Sequence, residues 1–141
     1  MAKNSIEVEI KVPNQTCYLG LIGRIAEEVA YAIDRYSGDR ETLAYHLNLV
    51  LTEAAANAMK YAHEGDPEKS VHISINITDD VFCARVYDQG QGFDMNSLPS
   101  MDFEKLEDRG RGIFIMKSLM DCVSYKRLGD MNVLEISKKL K

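Results

Sequence analysis

Hydrophobic and polar positions alternate along residues 5–12. Ile6, Val8, Ile10 and Val12 share one face, and Glu7, Glu9 and Lys11 share the other. A period of two predicts a half-buried strand, closed here by Pro13. The period then lengthens. Ile22, Ile25, Ala26, Val29 and Ile33 recur at helical spacing within a helix expected over residues 16–36, with Asn14 or Thr16 as its cap. Arg24 falls on the opposite, water-facing side of that helix, where pattern alone makes it a solvating charge. Ser37-Gly38-Asp39 breaks the helix. A second helix is expected over residues 41–63, with Leu43, Leu47, Val50, Leu51, Ala54, Ala58 and Ala62 as its apolar stripe. Glu53 and Asn57 stand one turn apart at the edge of this stripe, where a carboxylate and an amide can both face a cleft.

Residues 63–67 (His-Glu-Gly-Asp-Pro) have loop composition. Alternation returns over 71–78 with Val71, Ile73, Ile75 and Ile77. Asp79-Asp80 forms a turn, and 81–87 completes a predicted antiparallel hairpin. Phe82, Ala84 and Val86 share parity with Asp88, so Asp88 continues the inward direction of that strand. A buried carboxylate is costly without partners. Residues 93–108 lack a regular pattern and carry several acids and Pro99, which reads as a long loop or flap. Gly112 is expected to open a helix to about Met120, with Ile113, Met116 and Met120 inward. Strands at 122–127 and 133–138, linked by 128–132, end the pattern. The layout is β-α-α-β-β-lid-α-β-β. It predicts an α+β two-layer sandwich, with a mostly antiparallel sheet covered on one face by three helices.

The 141 residues suffice for one domain, expected over 1–141, with one core. A net charge of −5 and a pI near 5.2 argue against unspecific binding to nucleic acid or anionic membrane. Cys17, Cys83 and Cys122 are odd in number and widely spaced, which argues against a disulfide framework or zinc site and fits a reducing cytoplasm. No apolar run is long enough to span a bilayer, and the first residues do not read as a signal peptide. The histidines, His46, His63 and His72, read as surface or loop residues.

The chemistry concentrates in two glycine turns flanking the loop. In Asp88-Gln89-Gly90-Gln91-Gly92, the glycines permit close approach of a ligand, and Asp88 is an acceptor suited to an exocyclic amino group such as that of adenine. Arg109-Gly110-Arg111-Gly112 precedes the expected helix, where free N–H groups and two guanidinium groups favour phosphate. Each turn alone is a weak signal. Their combination with Glu53 and Asn57, in this order, is much stronger.

That combination resembles the GHKL-type ATPases. Glu53-Ala54-Ala55-Ala56-Asn57 is similar to their N-box, Asp88-Gln89-Gly90-Gln91-Gly92 to their first glycine box, and Gly110-Arg111-Gly112-Ile113 to their second. The run from Thr52 to Ala58, with Arg111-Gly112-Ile113, Met116 and Leu119-Met120-Asp121, is especially similar to bacterial anti-sigma-factor serine kinases. The resemblance spans about residues 5–138 and implies a histidine-kinase-like ATPase fold. It implies ATP and Mg2+ as cofactors, with Asp88 on the adenine amino group and Gly90 and Gly92 beneath the base. Asn57 would hold the magnesium ion, Glu53 would act as general base, and Gly110 and Gly112 would offer amides to phosphate with Arg109 or Arg111 nearby. Residues 93–109 would be the ATP lid. Arg24 would contact a partner. The implied partners are a sigma factor or similar regulator, a small anti-sigma-factor antagonist phosphorylated on serine, and a second copy in a homodimer. The sequence departs from the family where a Gly-Thr pair often stands near the last strands, since this chain has Gly129-Asp130-Met131-Asn132-Val133. A rival reading keeps the pocket as a nucleotide-gated binding module and asks nothing of Glu53.

Overall fold

The computed structural model describes residues 5–78, 80–89 and 108–141, with the side chains of Tyr61, Asp108 and Arg109 outside that description. Five strands form one sheet: β1 (Ile6–Pro13), β2 (Ser70–Thr78), β3 (Val81–Asp88), β4 (Cys122–Leu128) and β5 (Met131–Lys139). Their order is β1-β2-β3-β5-β4, and each neighbouring pair is antiparallel. Among the described residues, three α-helices, α1 (Leu19–Ala32), α2 (Arg40–Asn57) and α3 (Asp108–Leu119), join this sheet in an α+β fold.

The alternation that defined the strands sets the layers. Val71, Ile73, Ile75 and Ile77 of β2 and Phe82, Ala84 and Val86 of β3 are buried against helical residues such as Ile22, Leu47, Leu51 and Met116. Positions of opposite parity make a polar outer face. There Arg85 donates to Glu135 at 2.8 Å, and His72 pairs with Glu9 at 2.7 Å while stacking on Tyr87.

The helices end where specific side chains stop them. The first helix is shorter than the 16–36 expected: a 3-10 turn at Thr16–Tyr18 precedes α1, which stops at Ala32. Its last carbonyls are taken by the next helix, since Arg40 Nη1 donates to the Ala30 oxygen at 2.8 Å and also to that of Ile33. A cation on those carbonyls also favours the negative end of the helix dipole. Asp39 does more than break the chain. Its carboxylate accepts from the Thr42 N–H at 3.1 Å and so caps α2. Where α1 and α2 cross, Gly23 leaves room for Asn48, whose amide donates to Glu27 at 2.6 Å.

Two boundaries differ from the sequence expectation in ways that shape the site. The α-helical part of the second helix ends at Asn57. A π-helical turn, Ala58–Ala62, follows it, closed by the His63 N–H on the Ala58 oxygen at 2.9 Å. Such wide turns frequently occur at functional sites. The third helix starts at Asp108 rather than at Gly112, so Gly110, Arg111 and Gly112 lie within its first turns.

Candidate functional site

The site forms where the C-terminal end of β3 meets the C-terminal half of α2. Asp88, the last residue of β3, is only 6 % exposed, as its inward parity predicts. Cross-strand register puts Asn132 of β5 directly opposite it. Asn132 Nδ2 donates to Asp88 Oδ1 at 2.8 Å, and the Tyr125 hydroxyl from β4 donates to Asp88 Oδ2 at 3.0 Å. Arg127 Nη1 in turn donates to Asn132 Oδ1 at 3.3 Å, which fixes which end of that amide faces Asp88. The carboxylate is thus buried and oriented, with Asn132 donating to one oxygen and Tyr125 to the other.

Asp88 closes one end of a pocket enclosing about 340 Å³, part of it open to solvent. Ala54, Asn57, Ala58, Ala62, Val86, Ile113, Tyr125 and Leu134 form the rest of its lining. Small alanines on the helical wall and branched side chains on the sheet wall leave a mainly apolar slot. A few fixed polar groups in such a slot suit a flat heterocycle with an amino group to offer.

Asn57 lines this slot and Glu53 stands one turn before it on α2, both half-buried. Gly112 of α3 presses against them. A Cβ at Gly112 would stand 2.9 Å from Glu53 Oε2 and 3.2 Å from Asn57 Nδ2. The structure therefore brings the second glycine turn onto the Glu53–Asn57 face, across more than fifty residues of chain. The Asn57 Nδ2 is buried and makes no hydrogen bond among the described residues. The unused group is an N–H donor with unmet capacity for an acceptor, and the oxygen of the same amide is of the type that a hard divalent cation takes.

Sequence reasoning missed three side chains here. Asn132 falls in the expected link 128–132, whereas the structure extends β5 back to Met131. The parity of Asn132 with Leu134 and Ile136, all buried, was the available signal. Tyr125 had none, because only the pairing of β4 with β5 brings it to Asp88. His63, expected as a surface or loop histidine, lies in the loop just after the π turn but is buried, at 1 % exposure. Its Nε2 accepts from the Gln89 N–H at 3.3 Å, so in the neutral ring Nδ1 carries the proton and faces Asn14 Oδ1 at 3.4 Å. Burial pushes the His63 pKa below its ordinary value. The Asp88 charge opposes that shift, Lys69 adds to it and Asp66 opposes it.

Arg24 is exposed on α1, away from the pocket. Gly90, Gly92 and the expected lid up to residue 107 lie outside the described residues, as does the Arg109 side chain. No helix among the described residues is long and apolar enough to cross a membrane.

Comparison with known proteins supplies the family. The serine-protein kinase RsbW of Bacillus subtilis (strain 168) is 28% identical over 133 residues, covering 86% of this chain and 78% of that protein. The serine-protein kinase RsbW of Oceanobacillus iheyensis is 27% identical over 124 residues, covering 82% and 76%. Among solved structures, the histidine kinase domain of the Erythrobacter litoralis EL346 blue-light activated histidine kinase superposes with a TM-score of 0.54 at 18% identity, covering 99% of this chain and 70% of that one. The histidine kinase AdeS of Acinetobacter baumannii superposes with a TM-score of 0.54 at 15% identity, covering 95% and 68%. These two likenesses are of fold. The profile described as histidine kinase-like ATPase domain matches residues 12–138, and with nine-tenths of its length inside that match, the chain belongs to the histidine kinase-like ATPase domain family.

Proposed function

We infer that this protein is an ATP- and magnesium-dependent serine protein kinase of the anti-sigma-factor type. The observation that carries the reading is the packing of Gly112 onto Glu53 and Asn57, beside a slot that ends in the clamped Asp88 carboxylate. The kinship with proteins named serine-protein kinase directs it to protein substrates.

In this reading the adenine ring enters the slot, and its amino group donates to Asp88. Tyr125 and Asn132 hold that carboxylate in place before the base arrives, so little reorganisation is needed on binding. The triphosphate leaves the slot past Asn57. Gly90 and Gly92 allow the backbone to approach the nucleotide. The N-terminal end of α3 would offer the phosphates the Gly110 amide and the positive charge of Arg111, with Arg109 next to them in sequence, while Gly112, further into the helix, packs on Glu53 and Asn57. Asn57 would hold the magnesium ion through its amide oxygen, and the ion would supply neutralisation of phosphate charge. Glu53 accepts the proton of a serine hydroxyl as that oxygen bonds to the γ-phosphorus. The bond from phosphorus to the β–γ bridging oxygen breaks, and ADP leaves. The partners are a sigma factor or similar regulator, contacted through the exposed Arg24, and a small antagonist that supplies the serine. The protein acts in the cytoplasm as a homodimer.

The test is calorimetry of ADP with magnesium on the wild type and Asp88→Asn, followed by transfer of labelled phosphate to a cognate antagonist. Binding should be strong in the wild type and lost in Asp88→Asn, whose amide presents a donor where the adenine amino group needs an acceptor. Glu53→Ala should bind nucleotide yet transfer no phosphate. Nucleotide binding with no transfer to any partner would overturn the kinase reading in favour of a nucleotide-gated binding module. No binding at all would overturn both.

A further inference from the structure

His63 is a fully buried titratable group that takes no part in the chemistry above. It bridges the residue after β1, the loop after the π turn and the residue after β3. On one side its Nε2 accepts from the N–H of Gln89, the residue that follows Asp88. On the other its Nδ1 faces Asn14, which follows β1. Asn14 is itself fixed from several directions. Its Nδ2 donates to the Asp66 oxygen at 3.0 Å, and its N–H donates to the Lys69 oxygen at 2.9 Å. The imidazole therefore ties the end of β3 to a rigid corner built from β1 and the 63–69 loop.

We propose that neutral His63, with its proton on Nδ1, is a positioning residue for Asp88, and that protonating its Nε2 releases the Gln89 backbone and loosens the nucleotide pocket. The effect on nucleotide rests on the function inferred above, whereas the clasp itself belongs to the nucleotide-free protein. Among the described residues, three charged groups act on the ring. They are Asp88 from β3 and Asp66 and Lys69 from the loop, while the end of β1 contributes only the neutral Asn14. Protonation would set an Nε2–H against the Gln89 N–H, two donors with no acceptor between them. It would also draw the imidazolium toward Asp88, in competition with the donors that orient that carboxylate. A histidine that merely filled space would show neither effect.

The experiment has two readouts on the wild type, His63→Gln and His63→Leu. The first is hydrogen exchange of the Gln89 amide without nucleotide, from about pH 8 down to about pH 5.5, after correction for intrinsic exchange. Protection should fall with pH in the wild type. In His63→Gln, whose amide oxygen can replace Nε2 as acceptor, protection should persist across the range, and in His63→Leu it should be low throughout. The second is ADP–magnesium affinity over the same range. It should weaken in the wild type as the pH falls, and His63→Leu should bind about tenfold more weakly at neutral pH, equivalent to about 1.4 kcal/mol. His63→Gln should recover most of that loss and flatten the pH profile. Thermal melts establish that each variant is folded. PH-independent protection of Gln89 in the wild type, or the same protection in folded His63→Leu, overturns the clasp. If the protection changes occur but no variant binds nucleotide, the clasp stands and the ATP reading falls.

Discussion

Replacing Gly112 with alanine separates stability from chemistry. In a helix interior, exchanging glycine for alanine stabilises by about 1 kcal/mol. Against this stands the space available. The added Cβ would meet Glu53 Oε2 at 2.9 Å and the two polar ends of Asn57 at 3.2 and 3.5 Å. Relaxed contacts of this kind begin near 3.4 Å. The Glu53 carboxylate is the far end of a flexible chain, so it swings away at little cost. The shorter Asn57 must give by a few tenths of an ångström, and crowding of that order costs roughly 1 kcal/mol. The two terms nearly cancel, so the melting temperature should move by no more than about 4 °C. Turnover has no such compensation. A general base displaced by about 1 Å forfeits roughly a hundredfold in rate, and a shifted Asn57 should weaken magnesium-dependent nucleotide binding. The assay pairs a thermal melt with labelled phosphoryl transfer. Gly20→Ala serves as control, because an added Cβ there meets nothing within 4 Å and the position is exposed. Full transfer activity in Gly112→Ala would refute the placement of Glu53 at the reacting group. Global unfolding would refute the claim that flexible side chains absorb the clash.

Other consequences can be checked separately. Gly23→Ala brings a Cβ to 2.5 Å from Asn48 Oδ1, an atom already engaged with the Thr52 hydroxyl, so urea unfolding should show a loss of about 1–3 kcal/mol. Arg24→Ala, at an exposed site remote from the pocket, should weaken capture of the regulator in a pull-down while leaving ADP affinity unchanged. Acid should destabilise the protein through His63. Its folded pKa lies below the unfolded value near 6.5, so its contribution is intact above that pH. It is lost as the pH falls from there through the lowered folded value, because the unfolded chain takes up a proton that the folded ring resists. Urea midpoints at pH 7.5 and at about pH 5.5 should therefore differ more for the wild type than for His63→Gln.

Local periodicity carried most of the fold into view. The parity of Phe82, Ala84 and Val86 was enough to aim Asp88 inward, and the one-turn spacing of Glu53 and Asn57 was enough to put them on one flank of α2. What periodicity cannot express is long-range register. The donors that hold Asp88 arrive from residues 37 and 44 positions away, through strand pairings that no local window contains. Helix ends were misjudged for a related reason. The α-helical part of α2 gives way to a π turn at Ala58–Ala62, and the loop residue His63 that follows it is buried, which no local pattern marks. The start of α3 at Asp108 lies in a stretch whose acids and glycines read as loop by composition.

The strand order also governs when the pocket can exist. β5 follows β4 in the chain but inserts between β3 and β4, carrying Asn132 to the carboxylate that β3 presents. Until that insertion, β3 is an edge with unpaired N–H and C=O groups, and Asp88 lacks its Asn132 donor. Long-range pairing of this kind is slow relative to hairpin closure. The hairpin of β2 and β3 can thus form early, while nucleotide recognition waits for the sheet to close. On a ribosome, a nascent chain that has released β3 but still holds β5 in the exit tunnel should be blind to ATP. Nucleotide would then act as a ligand of the finished sheet alone, drawing the last folding step toward completion by mass action.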